Sequence, residues 1–370
     1  MASPYSIYMF LYIYLAGFSS TGGIQRFNRN IIFALQKIVN QQHKPILVYS
    51  GYDKTSSFSQ SQPNWFKGFN QKRLLFILSS LWSGLHARQV VLGHINLSII
   101  GLILKIFRPD IKVTLITHGI EVWGNLSYLK RNALRKADCV LAVSQYTQNI
   151  LVEKQGVLPH RISIFQNTLG YQFESESKPM ANLALRNRLH LPADARIILT
   201  ISRLAGYEKD KGYDKVIEIM PDLLRHLPNL HYVLGGSASD IEFARLQEKI
   251  KQLNLDSHIH MPGYITDGEL STYYSGADIF VMPSKKEGFG IVYIEAMANG
   301  TPVIAGNKDG STDAVSAYQL GHLIDPDNKE ELSKTILHIL SSESDYSDAE
   351  KVKRDFSFEK FCLQVEALTK

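Results

Sequence analysis

The sequence predicts an α/β protein built as two Rossmann-like domains facing each other across a central cleft. Three observations carry the expectation. Short apolar runs alternate with stretches of helical periodicity along nearly the whole chain. The apolar runs are near-continuous, as strands buried on both faces of a parallel sheet must be. The alternation also breaks once, at Glu174–Ala181, where Glu, Ser, Lys and Pro replace apolar residues, and it restarts at Ile197. A chain of 370 residues is too long for one ordinary core, so two domains fit its size. The expected domains are 1–173 and 174–356, with a final helix over Ser357–Leu368 (the segment 357–370) crossing back to the first.

In the first half, Ser6–Leu15 reads as a buried strand, Ser19–Gly23 as a turn-rich loop and Ile24–Val39 as a helix. Gly22 and Gly23 would let the backbone approach a ligand at the carboxyl end of that strand; an ordinary tight turn has the same sequence signature. Ile46–Tyr49 is a second strand and Gly51–Asn70 a polar and aromatic loop. Gln71–His86 places Lys72 and Arg73 ahead of a run of Leu, Phe, Ile and Trp. It reads either as a domain helix with a solvated basic end or as an amphipathic helix lying on a membrane. Val90–Phe107 reads as a strand and a buried helix, because His94, Asn96 and Lys105 interrupt it as a membrane span. Val113–Thr117 is a strand ending at His118-Gly119, the place where ligands bind in open α/β sheets. Strands at Cys139–Val143 and Ile162–Phe165 complete this half.

The second half repeats the scheme. Strands are expected at Ile197–Ile201, His231–Leu234, His258–Met261 and Ile279–Met282. Helices are expected at Tyr213–Leu227, Ile241–Leu253 and Asp267–Ser275, the last capped by Thr266 or Asp267. A glycine-rich loop from Glu287, a helix from about Gly290, a stop at Gly300 and a strand from Thr301 follow.

Composition bounds the function. Hydrophobic residues make up 45% and charged residues 20%, which is globular. Two cysteines, Cys139 and Cys362, give neither a disulfide framework nor metal-ligand spacing, so a reducing cytosol is the expected compartment. Net charge is +5, unevenly spread: residues 1–180 hold 19 Lys and Arg against 7 Asp and Glu, or +12, and the rest hold 21 against 28, or −7. The basic half suits an anionic surface. No cleavable signal is expected, since no cationic segment precedes the apolar Ile7–Phe18. That run is also shorter than the ~20 residues a span needs.

The helix starting near Gly290 offers unpaired N–H groups and a positive dipole end, which suits a diphosphate. Glu287 before it and Glu295 within it flank that site with carboxylates. A ligand with hydroxyls on both sides of a diphosphate, a nucleotide sugar, fits the pattern. Arg203 and Lys211 follow the first strand of the second half, where they would stabilise charge on departing phosphates; viewed alone, the loop reads as a solvated one of mixed charge. Asp325-Pro-Asp327 has the look of a metal-binding Asp-x-Asp, but the proline makes it a turn, and no metal site is expected.

Taken together, Gly22-Gly23, His118-Gly119-Ile-Glu121, Ser202-Arg203-Leu204 with Lys211-Gly212, Gly263-Tyr-Ile265 and Glu287-x7-Glu295 before Ala296-Met-Ala-Asn-Gly-Thr-Pro-Val303 resemble the retaining GT-B glycosyltransferases of family 4. The resemblance covers nearly the whole chain in order. It implies that Arg203 and Lys211 grip the donor diphosphate, along with the backbone N–H groups of Phe289, Gly290 and Ile291. It implies that Glu295 holds the ribose, that Glu287 holds the transferred sugar and supports charge at its anomeric carbon, and that His118 lies near the reacting centre. Gly22 and Gly23 would give room for donor and acceptor. The leaving phosphate would itself take the acceptor proton, so no protein base, metal or cofactor is demanded.

The resemblance is weakest at three places: the eight-residue spacing from Arg203 to Lys211, Asn167-Thr168 where Asn-Gly is common, and Asp309-Gly-Ser-Thr-Asp313. The last resembles bacterial polysaccharide and lipopolysaccharide mannosyltransferases, which favours GDP-mannose over a UDP-sugar. The expected acceptor is a lipid-linked or other glycan at an anionic membrane, met through the basic N-terminal domain. That makes the expected location cytoplasmic, on the inner face of the membrane. No nucleic acid partner is expected. A soluble transferase with a small acceptor and a GT-B epimerase or binding module are the alternative readings.

Overall fold

The structure, a computed structural model, describes residues 10–42, 44–58, 63–342 and 348–370. The beginning of the strand expected from Ser6 and of the apolar run from Ile7 lies outside the described residues. Two units emerge. One comprises the residues up to Tyr171 together with Ser357–Lys370, and the other Gln172–Phe356.

The first unit runs β1 (Phe10–Tyr14), α1 (Gly23–Gln42), β2 (Ile46–Ser50), β3 (Phe66–Gly68), α2 (Arg73–Leu85), β4 (Gln89–Leu92), α3 (Ser98–Phe107), β5 (Lys112–Thr117), α4 (Ile120–Trp123), α5 (Tyr128–Lys136), β6 (Cys139–Ala142), α6 (Gln145–Glu153) and β7 (Ile162–Ile164). The second runs α7 (Lys178–Arg188), β8 (Arg196–Ile201), α8 (Tyr213–His226), β9 (Leu230–Gly235), α9 (Asp240–Gln252), β10 (Ile259–Gly263), α10 (Leu270–Gly276), β11 (Ile279–Met282), α11 (Ile291–Ala298), β12 (Val303–Gly306), α12 (Ser311–Val315), β13 (Gly321–Ile324), α13 (Lys329–Ser341) and α14 (Ala349–Asp355). Helix α15 (Phe358–Leu368) then belongs to the first unit again.

Each unit has one sheet, ordered β3-β2-β1-β4-β5-β6-β7 in the first and β10-β9-β8-β11-β12-β13 in the second. The paired strands run parallel, as crossovers through helices require. β1, β2 and β4 are buried along their length, which is why they read as continuous apolar runs. The strand order reverses between β1 and β4, and again between β8 and β11, which makes both sheets doubly wound. Right-handed crossovers put α2, α3 and α5 on one face of the first sheet and α1 on the other, with α15 packed against α1. Phe361 of α15 is buried against Phe27 and Phe165, at ring distances of 5.8 and 5.4 Å.

Several expectations change. Gly51–Asn70 is not a loop throughout. Its Phe66–Gly68 forms edge strand β3 in register with β2, Val48 opposite Phe66, and three residues are too few to show a period. The stretch Glu174–Ala181 is not all linker, because α7 starts at Lys178. Pro179 sits in its first turn, where a missing N–H costs nothing, and Ala181 and Leu185 form its buried stripe. The helix expected from Asp267 starts at Leu270. The Glu269 carboxylate accepts from the Thr266 N–H at 2.9 Å and its hydroxyl at 2.7 Å, which holds the preceding turn out of the helix. Helix α3 is not buried but half-exposed, with Ile106 and Phe107 facing solvent.

Candidate functional site

In the second unit, the loops leaving the carboxyl ends of β8 and β11 carry the expected donor residues. Arg203 follows β8 and is 54% exposed, with its Nε 3.7 Å from Glu208 Oε1. Lys211 ends a 3-10 turn over Gly206–Lys211, and Gly212 behind it has φ +84° and presses on the Pro283 carbonyl too closely for a Cβ. That close approach docks the β8 loop onto the β11 loop. It brings Lys211 Nζ into an ion pair with Glu287 Oε2. Burial works against the Lys211 charge, but Glu287, joined by Glu208 and Asp309, outweighs it and holds the ammonium above its ordinary pKa. Sequence reasoning assigned these two side chains separately, to phosphate and to sugar, and the structure brings them together.

The loop then turns sharply at Gly290, φ +90°, where a Cβ would meet the Tyr293 ring at 2.2 Å. Helix α11 starts at the next residue, so the N–H groups of Phe289, Gly290 and Ile291 lie at its amino end, where no intrahelical partner exists. Phe289 is buried against Phe356. Glu295, one turn into the helix, is buried and accepts from the Tyr274 hydroxyl at 3.0 Å. Lys285, Lys308 and Lys215 pair with Asp325 or Asp327, so both carboxylates of the Asp-Pro-Asp turn are held by lysines. Among the described residues, no group of three or more His, Cys, Asp or Glu side chains is arranged to hold a metal ion.

In the first unit, His118 stands at the carboxyl end of β5. Its Nε2 is 2.8 Å from the Gly93 carbonyl. A carbonyl only accepts, so Nε2 carries the proton and Nδ1 is left as an acceptor. Burial pushes the ring's pKa down to about 4 against the pull of the Gly93 carbonyl, so His118 is neutral near neutrality. Gly119 (φ 124°) lets the chain turn into α4, and Glu121 Oε1 takes the His118 N–H at 2.6 Å. Burial raises the Glu121 pKa. Gly22 (φ 148°) and Gly23 open α1, and a Cβ on Gly23 would meet nothing within 4 Å. Phe27, one turn on, stands edge-on to His118 at 5.0 Å, so the glycine pair and the histidine share one edge of the first sheet.

Two buried carboxylates escaped the sequence reading. Asp53 accepts from the N–H groups of Gly17, Phe18 and Ser19 at 2.9, 3.0 and 2.7 Å, and from the Tyr14 and Ser50 hydroxyls. It fixes the loop ahead of Gly22-Gly23. Asp309 accepts from the Glu287 N–H at 2.7 Å and the Ser311 N–H at 2.9 Å, while Gly310 N–H donates to the Glu287 carbonyl at 2.8 Å. Burial, aided by the nearby Glu287 charge and opposed by the Ser311 and Glu287 hydrogen bonds, raises Asp309 to about 6. Asp53 acts on amides distant in sequence, as Asp309 does on that of Glu287, and no local motif marks such a partnership. The unusual Asp309-Gly-Ser-Thr-Asp313 spelling was the one signal available.

A model of Glycosyltransferase Family 4 matches residues 21–169, and a model of Glycosyl transferases group 1 matches residues 182–356. A mannosylfructose-phosphate synthase of Agrobacterium fabrum is 30% identical over 210 residues, which are 55% of this chain and 45% of the relative. A GDP-mannose-dependent alpha-(1-6)-phosphatidylinositol monomannoside mannosyltransferase of Mycolicibacterium smegmatis is 28% identical over 241 residues, 62% of this chain and 61% of the relative. The chain thus spans 45 to 61% of the length of these two curated relatives. The crystal structure of Anabaena HepE in complex with UDP matches with a TM-score of 0.79 and 19% identity, over 97% of this chain and 98% of that one. At that identity the likeness is one of fold.

Proposed function

Because the chain belongs to the GT-B glycosyltransferases, a Family 4 segment followed by a group 1 segment, and resembles bacterial mannosyltransferases, we propose that it moves a hexose with retention from a nucleotide sugar to a lipid-linked saccharide at a membrane. The observation that carries the reading is the Lys211–Glu287 ion pair beside the glycine loop that opens α11. A diphosphate at that helix end would draw on the dipole and amides, and would compete with Glu287 for Lys211. The released Glu287 carboxylate is then free for hydroxyls of the sugar and for positive charge at its anomeric carbon. As the glycosyl bond breaks, charge grows on the leaving phosphate, and Lys211 and Arg203 stabilise it more than they stabilise the bound donor. Glu295, oriented by Tyr274, takes the ribose hydroxyls. Neutral His118 keeps Nδ1 as an acceptor, the acceptor oxygen bonds the anomeric carbon while its proton goes to the leaving phosphate, and the proposed reaction asks for no metal ion.

GDP-mannose is the favoured donor, in keeping with the Mycolicibacterium relative's name and the Asp309–Asp313 loop. The acceptor is proposed to be a lipid-linked saccharide in polysaccharide or glycolipid synthesis, met on the cytoplasmic side by a peripherally bound enzyme. The +12 charge of residues 1–180 supports that location. The Agrobacterium relative's name favours a second reading, a soluble transfer to a small phosphorylated acceptor.

A thermal-shift screen of GDP-, UDP- and ADP-sugars tests the donor. The correct one at 100 times its dissociation constant adds about 2.7 kcal/mol of stability. Release of nucleoside diphosphate only when acceptor is present separates transfer from epimerisation. Turnover with a water-soluble acceptor and none with lipid-linked saccharide sinks the membrane reading.

A further inference from the structure

Helices α2 and α3 are apolar on two faces: Phe76, Ile100 and Leu104 enter the core, and a second set of large apolar residues stays outside. An amphipathic helix of a soluble domain turns its apolar stripe to the core and its polar face to water. Helix α2 buries Phe76, Ser80, Ser83 and Gly84. Phe76 packs into the core with Leu81 and Leu85 beside it, but other large apolar residues point the other way: Leu74 is 79% exposed, Leu78 65% and Trp82 63%, with Leu75 beside them. Positions 74, 78 and 82 are four apart, so the three side chains form one stripe on the outward face.

Helix α3 likewise keeps apolar residues on its outward side. It buries Ser98, Ile100, Gly101 and Leu104 and exposes Ile106 and Phe107, 67% and 71%. The two helices pack closely, since a Cβ on Gly84 would meet Leu104 Cδ1 at 2.6 Å. Their outward stripes therefore lie side by side as one surface within the first unit. Single exposed apolar residues are ordinary, but a contiguous apolar face spread over two helices is not.

The charge around this face is mainly positive, although Asp138 pairs with Lys105 and Asp110 with Arg108. Residues 72–136 hold ten Lys and Arg (72, 73, 88, 105, 108, 112, 130, 131, 135 and 136) against Asp110 and Glu121, or 10 − 2 = +8. Lys72 and Arg73 are exposed at the amino end of α2, and Arg88 and Lys112 are exposed beyond the carboxyl ends of α2 and α3. An apolar centre that carries a Trp and sits within a cationic surround matches the headgroup boundary of an anionic bilayer. Among the described residues no helix is long and apolar enough to cross a membrane, so the fit is to a surface and not to a span.

We propose that the α2–α3 face is the docking surface for an anionic lipid bilayer, with Leu74, Leu78, Trp82, Ile106 and Phe107 entering the headgroup boundary and the surrounding lysines and arginines meeting lipid phosphates. The proposal deepens the membrane-acceptor reading above, naming the surface that brings the enzyme to its acceptor, and rests on that reading only for its biological sense. The surface itself follows from exposure and charge.

The test uses the full chain with phosphatidylcholine vesicles, with and without phosphatidylglycerol. The wild type is expected to sediment with the anionic vesicles and to be released by high salt. L78E/W82E, which changes exposed positions outside the donor site, is expected to lose at least about tenfold in vesicle affinity. Its thermal shift with the donor nucleotide is expected to remain that of the wild type, which shows that the variant is folded. Lipids brominated along the acyl chain are expected to quench a tryptophan component that is absent from W82F.

Vesicle binding unchanged in L78E/W82E, or no wild-type binding to anionic vesicles, overturns the proposal. A lipid-free dimer that L78E/W82E splits, with no vesicle binding by the wild type, overturns it in favour of a second copy as the occupant. Donor binding is read separately, so failure of the glycosyltransferase reading and failure of this surface are distinguishable.

Discussion

At the scale of single residues, the proposed site depends on which charges change partner when the donor arrives. Lys211 is paired with Glu287 in the structure, so a Lys211→Ala variant loses a phosphate partner and leaves a part-buried carboxylate alone. We expect its kcat to fall by roughly a hundredfold to a thousandfold with a smaller change in donor affinity, and Arg203→Ala to behave likewise. Glu295→Ala should instead weaken donor binding, read by thermal shift or calorimetry. Wild-type turnover in both basic variants would remove the assignment. Asp309 gives a pH prediction. Its pKa is raised from 3.8 to about 6, mainly by burial, so its protonated form is favoured in the fold. The stability this contributes is complete below pH about 4 and is lost as pH rises through about 6. Melting temperature against pH should therefore fall less steeply between those values in Asp309→Asn than in the wild type. An identical slope in the two proteins would show that Asp309 does not titrate there. Neither Asp309 nor Asp53 could be singled out from the sequence, because each acts on amides that only the folded loops bring near. Glu287 and Glu295 could be picked out as candidates because they flank a glycine loop opening a helix, whereas Arg203 and Lys211 become candidates only once the whole pattern is assembled.

Whole elements were most legible where burial makes the pattern unconditional. Parallel strands covered on both faces must be apolar throughout, and β1, β2, β8 and β11 could be read directly. Edge strand β3 could not, since three residues with Lys67 outward carry no period. Helix α7 was hidden by Pro179, which serves equally as a linker residue and as part of a helix's first turn. For α2 the pattern leaves open which way the apolar face turns, and α3 reads as simply buried; the packing depends on Gly84, which lets α2 close on Leu104 of α3, and on Gly101, which lets α3 close on Leu92 and Val113 of the sheet. The β9–β10 edge adds a prediction of its own. His231 Nδ1 is 3.1 Å from His260 Nε2, and the rings of His231 and His258 stack at 5.3 Å. Burial, with repulsion from His260 and His258, depresses His231 to about 4. A depressed histidine stabilises the fold above pH 6.5 and loses that contribution as pH falls through about 4. Amide exchange in β10, corrected for its intrinsic pH dependence, should therefore speed up across that window in the wild type and change less in His231→Gln. Equal acceleration in both proteins would exclude the cluster as the cause.

On the scale of the whole molecule, the two sheets have the same doubly wound plan, and both plans were legible because each follows from short apolar runs joined by helices. The dependence of the first unit on the last helix was anticipated only as a crossing back. In the structure α15 supplies Phe361 and Val365 to the first unit, both fully buried. Phe361→Ala should cost about 3–5 kcal/mol there. We expect an earlier melting transition that the donor nucleotide does not move, because the donor residues belong mainly to the other unit. A single unshifted transition would show that α15 contributes little. The return of α15 also sets an order of events during synthesis. Gln172–Phe356, 356 − 172 + 1 = 185 residues, separates the first unit's body from its last helix. At ribosomal speed that interval is on the order of ten seconds or more. Until α15 has been made, the Phe27 and Phe165 rings lack its cover, while the chain between can already close its own sheet. The first unit is thus begun before the second and completed after it, and a nascent chain stalled before Ser357 leaves those rings bare.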